Sequence, residues 1–396
     1  MMKNEKKYCE ILVVGGGVSG IAAAISASRS GANTILIEKE SFLGGAAVAG
    51  LHQFICGLYA NGSSKPRKTL NDGIVREICS RLKVIAPDKV IARMGNVYVH
   101  PFLTKDLISV FCSMIHETKQ LKTLYNCNVV SVKTDGNLIK SVRGRTSKGA
   151  VDIFPKVVID CSGNAVIVRS SNADYSLSPL KQRQLSGYSF RVKGLNNTDD
   201  MLSIQVPYHV KQAIRKKKLA SYLKFTTFAL GDNKNEGIFK LSVIPVDRAD
   251  NTVYVRNDAC KLQRYLASTL APFKNSHITE MSSEVLEREG MRVKGEYILK
   301  ADDVIRARKF PDGIVKNSWP IELWDQRKGP QYQYIDPEDY YNIPLRCLKA
   351  KNISNLYCAG RCISVSRKAL GSTRVMGTCM SLGEQAGIAA AKRVGL

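Results

Sequence analysis

The 396-residue chain is 44% hydrophobic and 23% charged, an ordinary globular composition at a length that calls for more than one typical core. No apolar run approaches the roughly 20 residues needed to cross a bilayer, and the charged stretch Met1–Tyr8 continues without a signal-peptide core, so a cytoplasmic protein is expected. A formal charge of +25 favours something anionic without choosing among nucleic acid, a membrane surface and an acidic small molecule.

In chain order, Ile11–Val14 reads as a short strand, Ser19–Ser30 as an Ala-rich helix ending at Gly31, and Thr34–Ile37 as a second strand closed by Glu38, which together make a βαβ unit. A helix over Leu103–Glu117 follows, then strands at Val129–Val132, Leu138–Val142 and Val151–Phe154, and an apolar strand VVID that ends in the small-residue turn CSG. From Gln184 to Tyr341 the character becomes mixed and includes both tryptophans. There the densest basic run, Arg215–Lys218, alternates with apolar positions as the solvated face of a helix does. Leu356–Ala359 returns to the first pattern as a strand, and Thr373–Val394 contains a final helix rich in Ala and Gly. The eleven cysteines show neither a Cys-x-x-Cys pair nor zinc-ligand spacing with His, so they read as reduced, mostly buried thiols, and no metal is expected.

Gly15, Gly17 and Gly20 form G-x-G-x-x-G between the first strand and the first helix. Gly15 permits a tight turn, Gly17 lets a pyrophosphate approach the backbone, and Gly20 lets helix and strand pack closely. The amides of the helix start, at Val18 and Ser19, then face the anion together with the helix dipole. Glu38 stands at the end of the second strand, where a carboxylate accepts both ribose hydroxyls of an adenosine and disfavours a 2′-phosphate. NAD and FAD both satisfy this pattern. The expected fold is α/β: a Rossmann-like nucleotide-binding domain in two parts, 8–183 and 342–396, with an inserted α+β substrate domain over 184–341.

Three later segments separate the two cofactors by resemblance. EKESFLGGAAVAG, VVIDCSGNA and LYCAGRCISVSRKALGSTRVMGTCMSLGEQAGIAAA resemble, in order, three segments of FAD-dependent oxidoreductases of the glutathione-reductase-like, fumarate-reductase-related superfamily. These are the stretch beneath the flavin, the D-x-x-G strand end and the C-terminal flavin-receiving block. The block Arg288, Glu289, Arg292, Gly295, Glu296, Tyr297, Leu299, Asp303, Val304 resembles one carried by the FAD-dependent oxidoreductase family. The resemblance implies bound FAD, held by Glu38, Lys39, Gly44, Gly45 and Ala46, by the backbone of Val129 at the adenine, and by Ser162 and Gly163. It places Gly360 and Arg361 beside the pyrophosphate or ribityl chain, with Arg374 close by. A helix starting near Val375 and Met376 would present free amides to the negative edge of a reduced flavin. The His that precedes the glycine pair in covalent flavoproteins has no counterpart in SFLGG.

Candidates for the chemistry are fewer. His52 lies in the segment expected under the flavin and can move a proton near neutrality, with Cys56 one turn away if that stretch is helical. Arg288 and Arg292 can clamp a substrate carboxylate bidentately, or pair with Glu289, Glu296 or Asp303. Cys358 and Cys362 flank a turn, which is not the helical spacing of a redox disulfide. Trp324 stands where relatives often carry His, and it either stacks on a planar substrate or fills the core.

With one dinucleotide fingerprint present, electrons are expected from the substrate, from transiently docked NAD(P)H or from a protein partner. The leading expectation is hydride transfer between a small, possibly anionic substrate and flavin N5. A flavin-dependent tRNA-modifying enzyme using the basic surface, and a non-catalytic protein that holds FAD, are the alternatives. No membrane partner is expected.

Overall fold

Apolar runs from both ends of the chain meet in one sheet. In the computed structural model, which describes residues 5–246 and 251–396, β1 (Glu5–Val14) is joined by helix α1 (Val18–Arg29) to β2 (Thr34–Ile37). The helix expected after it is α2 (Thr104–His116), leading to β3 (Leu121–Leu124), and β1, β2 and β3 lie parallel. Then come β4 (Asn128–Asp135), β5 (Leu138–Thr146) and β6 (Gly149–Asp160). β6 runs parallel to β1 along its whole length, while its outer edge first pairs antiparallel with β5 and then parallel with the late strand Leu356–Cys358.

The two strands expected at Val151–Phe154 and over VVID are therefore one. Pro155, which has no N–H to give a neighbour, falls in the gap between the two outer partners of β6. β1 also starts well before Ile11, where Tyr8 stacks on Phe154 at 5.1 Å.

The insertion builds a four-stranded antiparallel sheet from β7 (Ser186–Lys193), β8 (Thr227–Leu230), β9 (Glu236–Val243) and β10 (His277–Met281), in the order β8-β9-β7-β10. Strand alternation divides its faces. Phe190, Phe239, Leu241 and Val243 point into a core shared with helices α3 (Leu202–Arg215) and α4 (Asn251–Thr269). Gly187, Ser189 and Lys240 lie on the opposite face, where Gly187 approaches Arg288 and Lys240 approaches Phe54 of the first domain.

This separate core runs from Tyr188 to Phe273, which is shorter than the 184–341 expected. Leu299, Val304, Phe310, Ile321 and Tyr341 instead join Ile11, Ile21, Leu36 and Met380 in the large core. The basic run also differs from expectation. α3 stops at Arg215, Lys217 turns left-handed at φ +55, and Arg215–Lys218 are exposed at the helix C-terminus, where its dipole favours cations.

A hairpin, β11 (Ile321–Asp325) and β12 (Gly329–Gln333), lies across from β7, with Leu185 N donating to Trp324 O at 2.8 Å. The chain ends in β13 (Leu356–Cys358), α5 (Arg367–Thr373) and α6 (Met376–Arg393). α6 packs on α1 through small residues: a methyl added at Gly383 would lie 2.0 Å from Ser19 O, and one at Gly387 2.5 Å from Ala23 O.

Candidate functional site

The turn between β1 and α1 is fixed by contacts that admit no side chain. Gly15 adopts φ +100, and a methyl on Gly20 would lie 1.8 Å from Gly15 O. Gly17 is different. Its φ of −70 suits any residue, and a methyl there would meet nothing within 4 Å. Glycine at that position therefore answers to a group approaching from outside the chain, as a pyrophosphate does.

The buried Glu38 carboxylate accepts from Gly16 N through one oxygen and from Glu40 N at 2.9 Å through the other, which fixes it at the end of β2 with lone pairs left for hydroxyl donors. Gly44 N donates to Gly16 O at 2.8 Å, so Gly44, Gly45 and the exposed Ala46 lie alongside Gly17. Val129 follows Cys127, whose amide donates to Glu38 O at 2.9 Å, placing Val129 on the Glu38 side of the cradle.

The D-x-x-G turn closes the cradle from below. Asp160, fully buried, accepts from Ser162 N and Oγ at 3.0 and 2.6 Å and from Ile167 and Val168 amides at 2.8 and 3.2 Å. Burial pushes its pKa up, and the four donors oppose that shift. Gly360, at φ +85, brings the end of β13 against Ser19 at the start of α1. Val375 and Met376 open α6 as expected. One amide of its first turn, Gly377 N, donates to Cys56 O at 2.8 Å, so the segment leading away from Gly44–Ala46 reaches the start of α6. That segment makes one helical turn at Ala46–Ala49, but the stretch from His52 to Cys56 is not helical, since Phe54–Ile55 form a strand.

Between the two domains the structure gathers His52, Lys240, Arg288, Glu322, Trp324 and Arg374. Arg288 Cζ lies 4.1 Å above the centre of the Trp324 ring, and its Nη1 donates to Leu185 O at 2.6 Å. Trp324 Nε1 and Trp319 Nε1 donate to the two Glu322 oxygens at 2.7 and 3.3 Å. Arg374 Nη2 lies 4.0 Å from the Glu322 carboxylate and donates to Glu322 O at 3.2 Å. Lys240 Nζ sits 5.9 Å from the Phe54 ring centre and has no carboxylate partner among the described residues.

The fields of these groups are felt mutually. Burial, followed by Lys240, Arg288 and Arg374, brings the His52 pKa down to about 3. Burial and Arg374 lower that of Arg288, and burial lowers that of Lys240.

Several expected roles change. Arg292 is no clamp, because it is buried and pairs with Glu289 at 3.2 Å while donating to Gly290 O and Ser178 Oγ at 3.3 Å each. Arg361 directs its guanidinium at the Glu287 and Gly163 carbonyls and Asn164 Oδ1 rather than outward, leaving Gly360 to make the close approach. Lys39 is exposed and meets Glu40 and Glu284 at 3.2 and 3.5 Å. The Ser162 hydroxyl belongs to Asp160.

His52, expected to carry a proton near neutrality, is held neutral there. Trp324, expected to stack on a planar substrate or fill the core, carries Arg288 on its ring face, and Cys358 and Cys362 are buried free thiols, with Cys362 Sγ 3.3 Å from Asp160 O. Lys240 was missed. The alternation of Phe239 and Leu241 marks it as facing the other side of its strand, but nothing in the sequence says what covers that side.

The fold and cradle define a dinucleotide-binding protein of the Rossmann type. Over residues 10–394 the chain matches the model of the FAD dependent oxidoreductase family, and it belongs to that family. FAD is its cofactor, and the space at Gly17 and the held carboxylate of Glu38 fit it. No curated relative matches the chain.

Among solved structures, the chain is similar to AlpK at 10% identity and TM-score 0.53, covering 98% of this chain and 63% of AlpK. The Diels-Alderase PyrE3 of pyrroindomycin biosynthesis aligns at 10% identity and TM-score 0.51, covering 97% and 66%. The chain thus spans less than two thirds of either, and at these identities the likeness is one of fold. No helix among the described residues is long and apolar enough to cross a membrane.

Proposed function

We propose that the chain is a FAD-dependent oxidoreductase that acts on a small organic substrate at the cluster of His52, Lys240, Arg288, Glu322, Trp324 and Arg374, which would form its pocket. The supporting observation is the continuity of the two sites. Gly44–Ala46 lies on Gly17, and the same segment runs through His52 to Cys56, whose carbonyl meets the first turn of α6.

Bound FAD supplies the two-electron chemistry, accepting or giving up a hydride. The protein's residues orient the substrate and manage charge. The insertion contributes Lys240 from one wall, the hairpin contributes Glu322 and Trp324 from another, and Arg374 enters just ahead of α6. His52, neutral at physiological pH through burial and the cations around it, is able to accept a hydrogen bond from substrate at one ring nitrogen and donate one from the other, and becomes a base only when a bound anion compensates those cations. Arg288, stacked on Trp324, is fixed in orientation, as a group meeting developing negative charge must be.

An absorbance spectrum of the purified protein, followed by anaerobic titration with a metabolite panel and with NADH and NADPH, tests this reading. A flavin spectrum bleached by one small metabolite, with bleaching lost in Arg288→Met, is expected. Colourless protein that takes up no added FAD overturns it, and so does flavin reducible by dithionite but by no organic or nicotinamide reductant.

A further inference from the structure

Resting on the reading of this pocket as the substrate site, we propose that it recognises the carboxylate of a small organic acid, with Lys240 and Arg288 as its direct partners. Three cations and one carboxylate converge here. Glu322 stands by Arg374, where its carboxylate is 4.0 Å from Nη2, and both of its oxygens are already engaged by the indoles of Trp319 and Trp324. Lys240 and Arg288 are left without a carboxylate among the described residues. Arg288 has only a backbone carbonyl and the face of Trp324, and Lys240 only the distant Phe54 ring.

Cations drawn from water without a counter-charge are costly, and folded proteins pair them. This chain does so a few residues away, where buried Arg292 meets buried Glu289. The exception at Arg288 and Lys240 is what an anion-binding site requires, and burial lowers the pKa of both groups with Glu322 opposing that shift only in part.

A singly charged carboxylate suits the geometry better than a phosphate. The fixed Glu322 carboxylate repels a dianion more than a monoanion, whereas the planar guanidinium of Arg288, held over the Trp324 ring and giving one nitrogen to Leu185 O, keeps further donors for a planar anion. The rings of Phe54 and Trp324 supply apolar surface for the organic body.

Calorimetric titration of the FAD-loaded protein with acetate and benzoate, against their neutral counterparts acetamide and benzamide, tests the inference without relying on turnover. At least one acid is expected to bind tenfold or more tightly than its amide. Lys240→Met and Arg288→Met should each weaken acid binding at least tenfold while leaving the amide unchanged, and Lys240→Arg should restore most of the acid's affinity. Flavin content and circular dichroism confirm that each variant folds.

Neither acid preferred over its amide, a preference untouched by both Met variants, or inorganic phosphate bound more tightly than either acid would each overturn the inference. A protein that carries reducible flavin yet shows one of these results refutes the carboxylate alone, whereas absence of flavin refutes the proposed function itself.

Discussion

The nucleotide cradle and the inter-domain pocket solve opposite problems. In the cradle nearly every polar group is already engaged by protein: Glu38 by two amides, Asp160 by four donors, Arg361 by two carbonyls and an amide oxygen. Its shape is held by the protein's own hydrogen bonds, and its invitation is the bare space at Gly17. In the second site the shape is assembled from five distant stretches of chain, and Lys240 and Arg288 make no ion pair among the described residues, the field of Glu322 only partly offsetting their burial. A site for a permanently held group can be rigid and neutralised, while a site for a passing substrate keeps charge in reserve. Arg288 and Arg292, one helical turn apart in number, fall on the two sides of this divide.

The largest expected effect probes that divide directly. Glu289→Ala strands Arg292 as a buried unpaired cation and should cost about 3–5 kcal/mol in urea unfolding, whereas Arg288→Met should change stability by no more than about 1 kcal/mol. Equal losses would erase the distinction. Next, Gly17→Ala should leave unfolding of the flavin-free protein within about 0.5 kcal/mol yet weaken FAD binding about 100-fold, or about 2.7 kcal/mol, in a fluorescence titration. A parallel loss of stability would show that Gly17 serves the fold instead.

The pocket's charge also has a pH signature. His52 has its folded pKa lowered from 6.5 to about 3, so on acidification the unfolded chain takes up this proton before the folded one does. Its contribution is complete above pH 6.5 and is lost as pH falls toward 3, about 2 kcal/mol of it by pH 5. His52→Gln should flatten the acid limb by that amount, and an unchanged limb would mean that burial and the three cations do not hold His52 neutral. Smallest of all, Lys216→Gln with Lys218→Gln should shift stability by less than about 0.5 kcal/mol and leave flavin reduction unaltered. A marked effect would move the functional charge from the pocket to the surface.

Legibility follows the same line. The cradle could be read because its determinants are local: Gly15, Gly17, Gly20 and Glu38 sit within one βαβ unit, and the spacing itself encodes the geometry. The late strand and α6 were legible from Leu356–Ala359 and the small-residue run that follows. Side-chain destinations were not. Whether Arg292 faces substrate or Glu289, and whether Arg361 turns outward or toward Gly163, depends on partners far away in sequence. The pocket is the extreme case, since Lys240, Arg288, Glu322 and Arg374 share no motif and meet only because β9 turns one face toward the first domain. The unity of β6 across Pro155 was hidden for a related reason, because a proline reads as a break unless both outer neighbours of the strand are known.

The meeting of Ser19 with Gly383 has a consequence for biosynthesis. The first helix of the cradle is braced by a segment made long after it, and the outer edge of β6 receives its second neighbour only at Leu356–Cys358. A nascent chain therefore cannot finish its cofactor site as it emerges. Loading with FAD awaits synthesis of the segment that carries Gly383, and until then the unbraced Ala-rich helix and open strand edge are surfaces for chaperones to guard.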